Sequence, residues 1–230
     1  MAVPEHFIGF PEQSIPFFLE LQAQQSRPWF KAHQPEFVRL WQRPLELFVT
    51  DLQQRLLHVY PGLADVEPHY FRIQRDTRFA RDKTPYKTNV AAELPIRFSS
   101  RDAGHGTPGL YVSFGLDGDF LAMGCWMLPA DLVVRYRQAV DHPSQGAEIQ
   151  AIVDDLLGRG MKLESMELLK RVPAPYPADH PRAELLKRKG LAVAITAPDE
   201  LCGSPKLLDW AETQFRLAVP LANWLERALG

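Results

Sequence analysis

GLYVSFGLDGDFLAMGCWML, from Gly109 to Leu128, decides the fold class. Two strand-like segments, 109–116 and 119–128, flank Asp117-Gly118. Asp-Gly tolerates the positive φ of a tight primed turn, so the pair reads as a hairpin and its strands as antiparallel neighbours. Outward from it, 69–75 (HYFRIQR), 89–98 (NVAAELPIRF) and 191–197 (LAVAITA) read as further strands.

Helical patterns bracket these strands. Ser14 is an expected N-cap, with Phe17, Phe18 and Leu21 following at helical spacing. Ser26 caps a second turn with Pro28 just inside, and Pro35 suits the first position of a longer helix. Trp41, Leu45, Phe48, Leu52 and Leu56 form one buried stripe, which Pro44 should kink or split. Downstream, 129–141, 146–158 and 181–189 read as helices. The closing stretch 204–229 opens on Ser204-Pro205 and should bend at Pro220. Strands in the middle with helices on either side, and no βαβ alternation, define an α+β class. The expected architecture is a mainly antiparallel central sheet packed by N-terminal and C-terminal helices. Residues 1–230 read as one domain, with 1–60 as its helical N-terminal part.

The 230 residues carry a formal charge of −2, so the chain is not a generically basic nucleic-acid coat. Twenty prolines exceed the usual ~5% and announce short elements and rigid loops. Two cysteines, Cys125 and Cys202, are too few for a disulfide framework. With no basic region leading a long apolar run at the start, a reduced cytoplasmic setting is the expectation. No stretch approaches the ~18 apolar residues of a membrane helix.

Positive charge is local. From Tyr70 to Val90 there are six cations (Arg72, Arg75, Arg78, Arg81, Lys83, Lys87) and two anions (Asp76, Asp82). The window is +4, leaving −6 for the rest of the chain. Arginine forks bind phosphate or carboxylate through paired hydrogen bonds, and lysines add mobile point charges. Tyr86 and Phe79 could stack on a ring. One reading is an anion pocket in which Arg75, Arg78, Lys83, Tyr86 and Lys87 contact a small phosphorylated or nucleotide-like ligand. Asp76 would position an arginine or act as a base. The other reading is structural: Arg75–Asp76 and Arg81–Asp82 brace an irregular loop.

At these residues a family resemblance emerges. RDTRFARDKTPYKTN (75–89) resembles the signature of the domain of unknown function 2461 family, conserved hypothetical proteins of bacteria and fungi. FFLELQAQQSRPWFKAH (17–33) and LLKRVPAPYPADHPRAELLKRKGL (168–191) are similar to its other segments. Gln24 and Gln25 stand where the family usually has asparagines. The resemblance covers most of the chain and implies no activity.

Residues 162–190 form a second basic stretch, net +3. Within it His180 is the histidine best suited to acid–base work, since its ordinary pKa is near neutrality. Asp179-His180-Pro181 is equally a turn and helix start. GHGTPG (104–109) matches G-x-G-x-x-G but precedes a strand, so a loop is expected, not a dinucleotide site. Cys125 reads as a buried structural thiol. The seven histidines are scattered without metal-ligand spacing, and no motif names a cofactor. Three functions remain open: a small-anion binder with catalysis undecided, a nucleic-acid module, and a protein-interaction module whose loop only braces the fold. Oligomeric state is not legible.

Overall fold

The computed structural model describes residues 5–78, 82–97 and 107–230. The chain opens with α1 (Ser14–Gln24). One long helical run follows: α2 (Arg27–Phe37), a π-helical turn at Val38–Gln42, and α3 (Arg43–Leu56). The expected interruption at Pro44 is that π turn. Proline has no N–H to give the Leu40 carbonyl, and a wider turn accommodates the loss. The Leu40 carbonyl accepts from Ser14 Oγ at 3.0 Å instead, and Trp41 Nε1 donates to the Ser14 carbonyl at 2.9 Å. Ser14 is therefore the buried first residue of α1, tying it to the π turn, and not an N-cap. Ser26 is a cap, its Oγ accepting from the Trp29 amide at 3.3 Å. Pro35 lies inside α2 and not at a helix start. It is solvent-exposed there, so water can serve the carbonyl it leaves without a partner.

The sheet follows: β1 (His69–Tyr70), β2 (Asn89–Pro95), β3 (Gly109–Gly115) and β4 (Phe120–Cys125). Helices α4 (Ala130–Asp141) and α5 (Pro143–Gly158) then carry the chain to the far edge. It re-enters there as β5 (Lys162–Glu164), passes through the short helix α6 (Ala183–Leu186), and inserts β6 (Leu191–Thr196) beside β4. The order is β1-β2-β3-β4-β6-β5, every pair antiparallel. This is the expected α+β class. Two strand readings need correction. The β1 ladder is regular for two residues and not seven, and the polar three-residue β5 was not foreseen. The Asp117-Gly118 hairpin is present, with Gly118 at φ +99° and its amide donating to the Gly115 carbonyl. The closing helix breaks at Ala218 into α7 (Lys206–Leu217) and α8 (Val219–Leu229), Pro220 sitting in the first turn of α8.

Strand alternation gives the sheet two unlike faces. Val90, Leu94, Leu110, Val112, Phe114, Leu121, Met123, Leu191 and Val193 point into the core. There Phe114 packs on Phe10 and Phe48, with ring centres 4.9 and 5.2 Å apart. Cys125 is buried on this side. The opposite face carries Glu93, Tyr111, Phe120, Ala122, Gly124, Ala192 and Ala194, and these line an open groove.

Candidate functional site

The basic segment is the tip of an extended two-chain ribbon. Beyond β1 the pairing continues irregularly: Phe71 N–H donates to the Ala91 carbonyl, Lys87 N–H to Ile73 and Arg75 N–H to Pro85. The Gln25 side chain clamps this ribbon. Its Nε2 donates to the Tyr86 carbonyl at 3.2 Å and its Oε1 accepts the Tyr86 amide at 3.1 Å. Gln25 itself sits at φ +37°, just past α1. The Tyr86 ring is buried and stacked on Phe30, 4.4 Å between centres. Tyr86 thus anchors the ribbon to α2, and its ring is occupied by that packing.

At the tip, charges are partly paired off. Asp76 accepts from the Arg78 amide at 3.2 Å and from its guanidinium at 3.1 and 2.8 Å. These bonds hold the Asp76 carboxyl far below the usual carboxylate range, so it is a poor proton acceptor at neutral pH. Asp82 accepts the Thr84 amide at 2.9 Å and pairs with Arg75 at 3.3 Å; the Thr84 amide is the main cause of its lowered pKa. Lys83 Nζ donates to the Thr77 carbonyl at 2.7 Å. Phe79 and Arg81 lie outside the described residues.

Lys87 is different. It is half-buried, and its Nζ lies 5.8 Å from the centre of the Phe71 ring. Burial, then the charges of Arg75 and Arg72, push its pKa down, and among the described residues no carboxylate acts against them. The Arg75 Nε is buried with no hydrogen-bond partner among the described residues. Arg72, Arg75 and Lys87 therefore form a cationic group that Asp82 only partly balances.

The ribbon borders the groove. Phe71 is 5.7 Å from Tyr111, and Tyr111 is 5.6 Å from Phe120. The groove encloses about 1030 Å³ over the uncovered face. Cross-strand register sets Glu93 beside Tyr111, then Ala122, Ala194 and Lys162 in one row; Gly109, Gly124, Ala192 and Glu164 form the next. The Glu93 carboxylate lies over Gly109, where an added Cβ would fall 2.3 Å from Oε1. Burial pushes the Glu93 carboxyl up, partly offset by the charge of His69 across the strand pair. These groove residues were missed from sequence. Their signal was the run of Gly, Ala and Ser at alternate strand positions.

His180 stands apart. It is buried, with Nε2 3.2 Å from Asp141 and Nδ1 accepting the Arg182 amide at 3.0 Å. Arg182 in turn donates to the Val140 and Asp141 carbonyls. These contacts dock the 165–182 segment on the end of α4. That segment connects β5 to β6, at the sheet edge opposite β1, and no described contact joins it to the 75–87 ribbon. Asp179 is exposed. Of the GHGTPG segment, 104–106 lie outside the described residues, and Thr107-Pro108 lead directly into β3. Among the described residues no helix is long and apolar enough to cross a membrane, and no group of three or more His, Cys, Asp or Glu is assembled as a metal site.

Fold and site together define an α+β protein with one helix-packed and one open sheet face, edged by a clamped basic ribbon. The chain belongs to the family described as Conserved hypothetical protein (DUF2461), whose match spans residues 13–224. No curated protein and no solved structure matches it.

Proposed function

We propose that the protein binds a small anionic ligand at the edge of the open sheet face, through Lys87, Arg75 and Arg72. The observation that supports this reading is the uncompensated charge at Lys87. A half-buried ammonium beside two guanidiniums, with no carboxylate paired to the ammonium itself among the described residues, costs stability even though Asp82 pairs with Arg75. A bound phosphate or carboxylate would remove that cost by pairing with the ammonium and the neighbouring guanidiniums. Arg78 and Lys83, already partnered, shape the ribbon tip, and Asp76 holds Arg78 in place. Tyr86 contributes through the backbone that Gln25 clamps. His180 anchors a distant segment and takes no part.

The test is thermal denaturation with inorganic phosphate or sulfate at low ionic strength. A ligand selective for the native state raises the Tm by mass action. Wild type should shift upward. Lys87→Met should lose the shift while melting no lower than wild type without ligand, because the substitution removes a poorly solvated charge. A shift retained in Lys87→Met would refute the assignment.

A further inference from the structure

The groove beside the ribbon has a chemistry of its own. Its floor near Ala122, Ala194 and Gly124 carries almost no side chain, so a flat molecule can lie directly on the strands. Phe71, Tyr111 and Phe120 run along one flank with successive ring centres 5.7 and 5.6 Å apart. Such rings are platforms for other planar groups. Glu93 stands beside Tyr111 with no hydrogen-bond partner among the described residues, and its burial makes a donor from a ligand valuable. Lys87 Nζ lies 5.8 Å from the centre of the Phe71 ring, at one end of the aromatic strip, and Glu93 stands beside its middle ring, Tyr111. The volume of about 1030 Å³ suits a small molecule.

Building on the anion-binding reading above, we propose that this face seats a planar nitrogen heterocycle whose N–H donors meet Glu93 and whose single anionic tail reaches Lys87, the chemistry of a nucleoside monophosphate. A single-stranded nucleic acid fits less well. Asp117, Asp119 and Glu164 also border the groove, and of the lining residues only Lys162 is a cation, so a polyphosphate chain would meet like charge.

The experiment is calorimetric titration with AMP, CMP, adenosine and inorganic phosphate, at low and moderate salt. AMP and CMP should bind at least about tenfold tighter than phosphate, the gain expected of one stacked, hydrogen-bonded base. Adenosine should bind more weakly than AMP. Glu93→Gln should weaken AMP about tenfold and leave phosphate unchanged. Gly109→Ala, whose methyl pushes the carboxylate aside, should do the same, and melting curves of both variants establish that they are folded. If phosphate binds and the monophosphates bind no tighter, this inference falls and the anion site stands. If neither binds, both fall. Adenosine binding as tightly as AMP would overturn the placing of the anionic tail on Lys87. Tight, steeply salt-dependent binding of a short oligonucleotide in place of AMP would assign the face to nucleic acid. A concentration-dependent dimer that binds no nucleotide, and that substitution of the exposed groove residue Trp126 (Trp126→Arg) disperses, would assign the face to self-association.

Discussion

Glu93 and Lys87, the residues on which the proposals rest, are both perturbed by the same cause, burial. Each is partly withdrawn from water and makes no side-chain hydrogen bond or ion pair among the described residues. For Glu93 the sign is clear. Its folded pKa lies above the unfolded value, so between the two the native state binds more protons and stability falls as pH rises. Glu93→Gln mimics the protonated form. It should therefore match wild type at about pH 3, below the ordinary glutamate pKa of about 4.3, and melt higher than wild type at pH 7. Thermal melts at the two values check this; a variant that melts lower at pH 7 would mean that the ionised carboxylate has a stabilising partner. The reverse holds for Asp76, whose carboxylate is secured by Arg78. The two acids look alike in sequence and differ because one is at a solvent-exposed tip and the other lies on a strand under aromatic rings. That distinction depends on tertiary packing, which explains why Asp76 was legible as a candidate and Glu93 was not.

At the scale of elements, the ribbon owes its shape to Gln25. One side-chain amide satisfies both the N–H and the C=O of Tyr86 where regular pairing has lapsed. Gln25→Ala removes two net hydrogen bonds and should cost about 2 kcal/mol in urea denaturation. It should also open the 76–84 tip to proteolysis while leaving the β2–β3–β4 meander protected. Unchanged stability would show that Phe30–Tyr86 stacking alone holds the ribbon. Local rules carried much of this level. The Asp117-Gly118 turn, the Ser26 cap, the disturbance at Pro44 and the break before Pro220 all follow from backbone chemistry that a few residues determine. What local rules missed was set by partners far along the chain. Ser14 looks like a cap but is drawn to the Leu40 carbonyl that Pro44 leaves free. β5 is strand only because β6 offers it an edge.

At the scale of the whole molecule, the described helices cover one sheet face and leave an open groove on the other. The core face announced itself by apolar alternation. The bare face announced itself faintly, by glycine and alanine where a second helical layer would need large apolar residues. The charge window 70–90 located the ribbon correctly, but the two basic stretches lie at opposite edges of the sheet, which one-dimensional spacing could not reveal. The anion-binding proposal rests on Lys87, a half-buried cation with no carboxylate partner among the described residues. Lysine side-chain NMR on protein labelled at Cε tests it most directly, with Lys87→Met assigning the resonance. Lys87 should titrate below the exposed lysines in the free protein and move upward when inorganic phosphate is added. A Lys87 signal that titrates with the exposed lysines and does not respond to phosphate would contradict it.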